Sequence, residues 1–268
     1  SDVYKRQIMN RFAAGRIREV KYMAEKLKYF VNGQFRESKT DKWYDLHNPS
    51  TGEITGQAPC CTNDEVLEAI AAAKAAYPGW SATPAIKRAQ ILYRVRELIL
   101  ERMDELTMSV AKENGKVWAE SEGDVLKAKE GTELATQVPS LMMGESIMDA
   151  SRGYDTVKYR EPLGVFAGIV PVNFPAMIPF GWMAPTCIAT GNTLVLKAAS
   201  LTPKTAMLFA QLYKDAGVPD GVINVVTCSR NEINTILEHP DVKGITFVGS
   251  TPVGLKTVSY THLTLPTT

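Results

Sequence analysis

Excess charge of either sign is missing from this 268-residue sequence, in which 30 lysines and arginines face 29 acids for a net charge of +1. A chain so balanced has no electrostatic pull toward nucleic acid or an anionic membrane, and neither is expected as a partner. Cysteine is sparse as well. Cys60, Cys61, Cys187 and Cys228 show neither zinc nor redox spacing, and the adjacent Cys60 and Cys61 are poorly placed to bridge each other. No metal is therefore expected, and the usage fits a reducing compartment, read here as the cytoplasm. Residues Ser1 to Lys28 are polar and basic without a long apolar run, which argues against a secretory leader.

What is present is ordinary globular material, 45% apolar and 22% charged, with enough chain to bury a core. The span Pro162 to Leu196 holds no charged residue and is long enough to pass a naive transmembrane count. Its punctuation argues otherwise. Pro162, Pro171, Pro175, Pro179 and Pro185, together with Asn173 and Asn192, would create polar backbone problems that lipid cannot solve. A buried strand, a helix and a second buried strand account for it better.

The segment Lys28 to Asn48 reads as an edge hairpin: Tyr29 to Val31, a turn at Asn32-Gly33, Phe35, and a second strand near Trp43 to Leu46. Helices follow. Thr62 and Glu65 form a capping-box pattern, and Pro78-Gly79 is expected to end that first helix. Thr83-Pro84 opens a second, with Ile86, Ala89, Leu92, Tyr93 and Ile99 expected on one buried face. A third ends near Gly115, and a fourth covers about Val117 to Gln137. An exposed strand at Thr156 to Tyr159 comes next. From there strands at Val165 to Val170, Thr193 to Lys197, Val222 to Val226 and Ile245 to Val248 alternate with helices near Ala176 to Ala189, Pro203 to Ala216 and Asn231 to Leu237. The fold class that follows is α/β: a doubly wound, Rossmann-type parallel sheet preceded by a helical segment and edge strands. The expected layout is a tail over 1–27, hairpin and helices over 28–150, an oligomerisation-type strand over 151–162, the nucleotide-binding core over 163–257 and a tail over 258–268.

Ligands of such sheets sit beyond the carboxyl ends of the strands, so the strand exits carry the candidate chemistry. The first reads Val170-Pro171-Val172-Asn173-Phe174-Pro175. Pro171 stiffens the turn and Pro175 opens the next helix, so the Asn173 amide can be held at the crevice lip. A donor fixed there suits a carbonyl that becomes an oxyanion, although asparagine in a turn is most often only a turn residue. The second exit ends on Lys197, with Ser200 beyond it. That lysine is placed either to donate to ribose hydroxyls or to snorkel to solvent. The third exit reads Phe247-Val248-Gly249-Ser250. Gly249 lets a phosphate approach the backbone, and Ser250 with the next helical amides offers donors to a pyrophosphate, or simply caps the helix. This turn is not the G-x-G-x-x-G fingerprint.

Taken in order, Pro171 to Pro175, Gly191 to Lys197 and Phe247 to Ser250 resemble the aldehyde dehydrogenase superfamily, over about Tyr29 to Gly254. A narrower resemblance is to its CoA-acylating methylmalonate-semialdehyde dehydrogenases, carried by Tyr29 to Gly33, Glu37 to Asp41, Pro139 to Glu145, Asn173 to Met177 and Ile236 to Pro240. The resemblance implies NAD-dependent oxidation of a short semialdehyde to an acyl-CoA, with CoA as co-substrate and a homo-oligomeric parent. In it Asn173 stabilises the oxyanion, Val170, Pro171 and Val172 line the nucleotide, and Lys197, Ser200, Gly249 and Ser250 contact it.

Departures accompany the resemblance. Ser200 stands where the family commonly carries the glutamate that binds the adenosine ribose, which leaves NADP open beside NAD. Lys127 aligns with the branch's carboxylate-binding arginine, a point charge in place of a fork. Gly181 reads as a one-residue insertion. The family's nucleophilic cysteine lies downstream of the point where this sequence leaves the pattern, so the chain is expected to lack the carboxyl-terminal catalytic domain. Cys187 and Cys228 are expected to be structural. Ser1 to Gln7 and Val258 to Thr268 resemble translated sequencing-adapter read-through, with natural tails as the alternative. The competing functional reading is a truncated protein that binds nucleotide, or pairs with a full-length subunit, without catalysis.

Overall fold

The computed structural model describes residues 25–262. The expectations for Ser1 to Gln7, and for residues 263–268, lie outside the described residues. Strands β1 (Tyr29–Val31) and β2 (Gln34–Arg36) form the expected hairpin. Asn32 and Gly33 both take positive φ, 52° and 70°, the geometry that lets a two-residue turn match the strand twist. Trp43 does not return to that hairpin. Instead β3 (Trp43–His47) pairs antiparallel with β4 (Ile54–Pro59), a strand hidden in the sequence by Gly56 and Pro59 within it. Nor is β1 left without a partner, because Phe30 pairs with Val225 of the main sheet.

Helix α1 (Asn63–Ser81) starts on the expected capping box, with Glu65 N donating to Thr62 Oγ1 and Thr62 N to the Glu65 carboxylate. It runs through Pro78 rather than stopping there. Buried Trp80 anchors the last turn by donating Nε1 to the Ile188 carbonyl at 2.9 Å. Helix α2 (Ala85–Glu101) buries Ala89, Leu92 and Ile99 as expected, together with Val95 and Leu98. Ile86 and Tyr93 instead face outward, since they lie seven residues apart on the flank of that stripe. Helices α3 (Met103–Asn114), α4 (Trp118–Ala135) and the short α5 (Val138–Leu141) complete this half.

Strands β5 (Glu145–Ser151) and β6 (Tyr154–Lys158) form a separate, wholly exposed antiparallel hairpin. The single strand expected within 151–162 is thus half of an element that begins at Glu145. The alternating region follows: β7 (Val165–Ile169), a π-helix (Ile178–Met183) continuing into α6 (Ala184–Ala189), β8 (Thr193–Lys197), α7 (Lys204–Asp215), β9 (Ile223–Val226), α8 (Arg230–Glu238), β10 (Val242–Phe247) and α9 (Thr251–His262). The boundary expected at 257 therefore falls inside α9.

The main sheet has the order β10-β7-β8-β9-β1-β2, with the first four parallel and the hairpin antiparallel at one edge. Side chains alternate across it. Leu194 and Leu196 enter the core beneath α2, α4, α6 and α7, whereas Val195 joins Val66, Ile70 and Ile236 beneath α1 and α8. In the first layer Phe180 stacks on Phe209 with ring centroids 4.7 Å apart, a contact worth about 0.5–1.5 kcal/mol beyond its area. Gly181, read from the sequence as a one-residue insertion, falls inside the π-helix, a rare element that occurs mostly as a single turn within an α-helix. Here α4 crosses the π-helix so closely that a Cβ on Gly131 would lie 2.0 Å from the Gly181 carbonyl oxygen.

Candidate nucleotide site and oxyanion loop

Two neighbouring features occupy the carboxyl edge of the sheet. The first is a cavity of about 600 Å³ between α8, α9 and the ends of β7, β8 and β10. That is ample for part of a dinucleotide. Val170, Pro171, Lys197, Gly249 and Ser250 from the sequence reading all line it. The chain turns tightly after β10: Val248 N donates to the Ile169 carbonyl, and Gly254 N to that of Ser250. A Cβ at Gly249 would sit 2.6 Å from the Phe247 ring, so any larger residue would have to displace that ring. Lys197 is half-buried at the end of β8, and burial pulls its ammonium pKa below the ordinary range.

The second feature is the loop around Asn173. Val172 and Asn173 are exposed and stand outside the cavity lining, so the structure separates the oxyanion candidate from most of the nucleotide candidates. Both neighbours of Asn173 are fastened from the turn that ends α3. Asn114 Nδ2 donates to the Val172 carbonyl at 2.7 Å, and Lys116 Nζ lies 3.9 Å from the centroid of the Phe174 ring. Asp124 completes the clamp, accepting from Met177 N at 2.7 Å through one oxygen and pairing with Lys116 at 3.1 Å through the other. Burial raises the Asp124 pKa, while the Met177 N–H and the Lys116 ammonium pull it back down. Asn173 itself is exposed, and its side chain makes no hydrogen bond among the described residues.

Ser200 is half-buried and outside the cavity lining, while Lys127 is exposed on α4 and ion-paired with Glu130 at 2.6 Å. Burial pushes the thiols of Cys61, Cys187 and Cys228 up to about 12. At neutral pH they are protonated, consistent with structural roles for Cys187 and Cys228.

The sequence pattern of the aldehyde dehydrogenase family matches residues 35–265. The chain belongs to that family. The human mitochondrial methylmalonate-semialdehyde/malonate-semialdehyde dehydrogenase [acylating] is 44% identical over 228 residues, 85% of this chain and 42% of its own length. A Sinorhizobium meliloti 1021 structure complexed with NAD superposes with a TM-score of 0.87 at 33% identity, covering 90% of this chain and 49% of that one. The crystal structure of an E. coli NADP dependent enzyme gives 0.84 at 33% identity, covering 90% and 50%. The chain thus spans about half the length of the relatives it matches.

Against this family background, the sequence reading missed two groups of residues. Asn114, Lys116 and Asp124 carry no local signature, because they meet the Asn173 loop only through the packing of α3 and α4. Arg230 and Lys256 also line the cavity. Arg230 was detectable: Ser229 and Glu232 form a capping box that places a helix start, with its first residue, at the exit of β9.

Proposed function

We propose that this chain forms the nucleotide-binding part and supplies the oxyanion donor of an aldehyde dehydrogenase that oxidises a short semialdehyde, such as methylmalonate semialdehyde, to an acyl-CoA. The observation that carries the reading is the cavity shared by three strand exits, with the clamped Asn173 loop beside it. The bound nicotinamide nucleotide, NAD or NADP, supplies the hydride acceptor. Ser250 and the first-turn amides of α9 would receive the pyrophosphate, and Lys197 the ribose. Val170 and Pro171 form the apolar wall, with Val172 and Ser200 at its margin. Asn173 would donate its amide to the aldehyde oxygen as negative charge builds there, a role that depends on orientation set before reaction.

Cys61, Cys187 and Cys228 are protonated and so poorly suited to attack the aldehyde, Cys60 is buried and accepts from the Tyr44 hydroxyl, and in this reading the nucleophile lies outside the described residues. Lys127 would have to leave Glu130 to meet a substrate carboxylate, which makes it a weak anchor for that group. The exposed hairpin β5–β6 would be covered in a homo-oligomer, and the free cysteines suit the cytoplasm.

In the complete enzyme, Asn173→Ala should lower kcat about 100- to 1000-fold while leaving nucleotide affinity unchanged. Steady-state kinetics under conditions where chemistry limits the rate, paired with nucleotide titration, would check this. An unaltered kcat removes Asn173 from the mechanism.

A further inference from the structure

The cavity has an electrostatic character that the strand-exit motifs do not explain. Its lining includes three cations, Lys197, Arg230 and Lys256, and no aspartate or glutamate. None of the three enters an ion pair among the described residues, in contrast to Arg36, Arg96, Arg102 and Lys116 elsewhere. The acid nearest in sequence, Glu232, is already committed: its carboxylate accepts from Ser229 N at 3.0 Å and from the Ser229 hydroxyl at 2.5 Å, closing the cap of α8. Dinucleotide sites that select an unphosphorylated adenosine ribose ordinarily do so with a carboxylate, which accepts from the diol and repels a 2'-phosphate. Ser200, at the corresponding strand exit, brings no charge of its own.

Topology brings two of the cations to the exits of neighbouring strands. Lys197 is in register with Val226 across β8 and β9, and Arg230 follows four residues later as the first residue of α8. Arg230 is exposed and makes no side-chain hydrogen bond among the described residues, so its guanidinium is uncommitted. A planar fork lining the same cavity as a lysine suits a dianionic phosphate on a ribose far better than it suits neutral hydroxyls. Lys256, on α9, also lines the cavity and adds to its positive field.

We infer that this cavity is built to prefer a 2'-phosphorylated dinucleotide, NADP over NAD, with Arg230 as the residue that discriminates and Lys197 as its companion. The inference rests on the nucleotide-site reading above and refines it. Family membership does not decide the matter, since the neighbouring structures include both a complex with NAD and an NADP dependent enzyme.

The test is calorimetric titration of the full chain with NADP, NAD, 2'-phospho-ADP-ribose and ADP-ribose, for the unsubstituted protein, Arg230→Gln and Arg230→Lys. Each 2'-phosphorylated ligand should bind at least about tenfold tighter than its partner, with the advantage shrinking as salt rises. Arg230→Gln should weaken NADP about tenfold or more and leave NAD within about twofold, with Arg230→Lys in between. NAD binding as tightly as NADP, or tighter, overturns the inference while leaving the nucleotide site standing. An equal loss for both ligands in Arg230→Gln removes Arg230 as the discriminator. Binding of none of the four ligands overturns the site reading and the inference together. Arg230 is exposed, and a thermal melt matching that of the unsubstituted chain verifies that the variants fold.

Discussion

The two features at the carboxyl edge of the sheet are built on opposite principles. Around Asn173 three groups are tied down: a carbonyl by Asn114, an aromatic ring by Lys116, a backbone N–H by Asp124. In the adjacent cavity Lys197, Arg230 and Lys256 enter no ion pair among the described residues. The contrast teaches what each part has to do. A donor that stabilises developing charge works by being held in place beforehand, so its surroundings are rigid and internally satisfied. A site that takes up an anionic ligand keeps its cations uncommitted, because a pre-existing ion pair would compete with that ligand. Substitutions in the clamp should therefore cost folding stability, whereas substitutions among the cavity cations should cost binding alone.

The largest stability effect is expected at Asp124, whose side chain is fully buried. Asp124→Ala would leave the Met177 N–H without its acceptor and the mostly buried Lys116 without its counter-ion. The loss should be about 3–5 kcal/mol, seen as a fall in denaturation midpoint. Arg230→Gln, in the cavity, should leave the same midpoint unchanged. Near-equal melts for the two variants would erase the distinction between the regions.

Glu113, one residue before Asn114, extends the comparison to pH. Its buried carboxylate accepts from Lys204 N at 2.8 Å and Thr205 N at 3.1 Å, tying the end of α3 to the start of α7. Burial nevertheless dominates and raises its pKa from 4.5 to about 7. The folded state thus holds the proton more tightly than the unfolded state. Its contribution is fully present below about pH 4.5 and is lost as pH rises through about 7, for a total of about 3 kcal/mol. Denaturant unfolding at a series of pH values should show this decline, and Glu113→Gln should flatten it. A profile identical in the variant would assign the slope to other groups.

Much of the cavity was legible in the sequence, because strand exits are local objects. A run of buried β residues ends, a proline, lysine or glycine follows, and the sheet brings the exits together. Val170, Pro171, Lys197, Gly249 and Ser250 meet for that reason. The clamp was not legible, because it depends on α3 and α4 crossing beneath a loop more than fifty residues away in sequence: Asp124 and Met177 are 53 apart. The same limit explains Ile86 and Tyr93, whose periodicity fits a buried face although the helix is rotated to bury Val95 and Leu98. Pro78 exposes a different gap. A local breaker ends a helix only when nothing beyond it is anchored, and Trp80 is anchored. The β5–β6 hairpin was half visible, as its second strand reads clearly while the first, Glu145 to Ser151, mixes acids with apolar residues in no firm alternation.

That hairpin sets the lower end of the scale. Ile147, Met148, Tyr154 and Val157 are all more than half exposed, so within one chain their side chains bury little apolar area. Val157→Thr should change the unfolding free energy of the isolated chain by less than about 0.5 kcal/mol, the usual range for surface positions. The measurement is a denaturant melt at low protein concentration, repeated at high concentration. If the variant's cost grows with concentration, the hairpin is covered by a second copy, as the proposed homo-oligomer requires. A cost well above 0.5 kcal/mol at every concentration would mean that the hairpin packs against its own chain, and the contrast between exposed β6 and buried β7 would have to be redrawn.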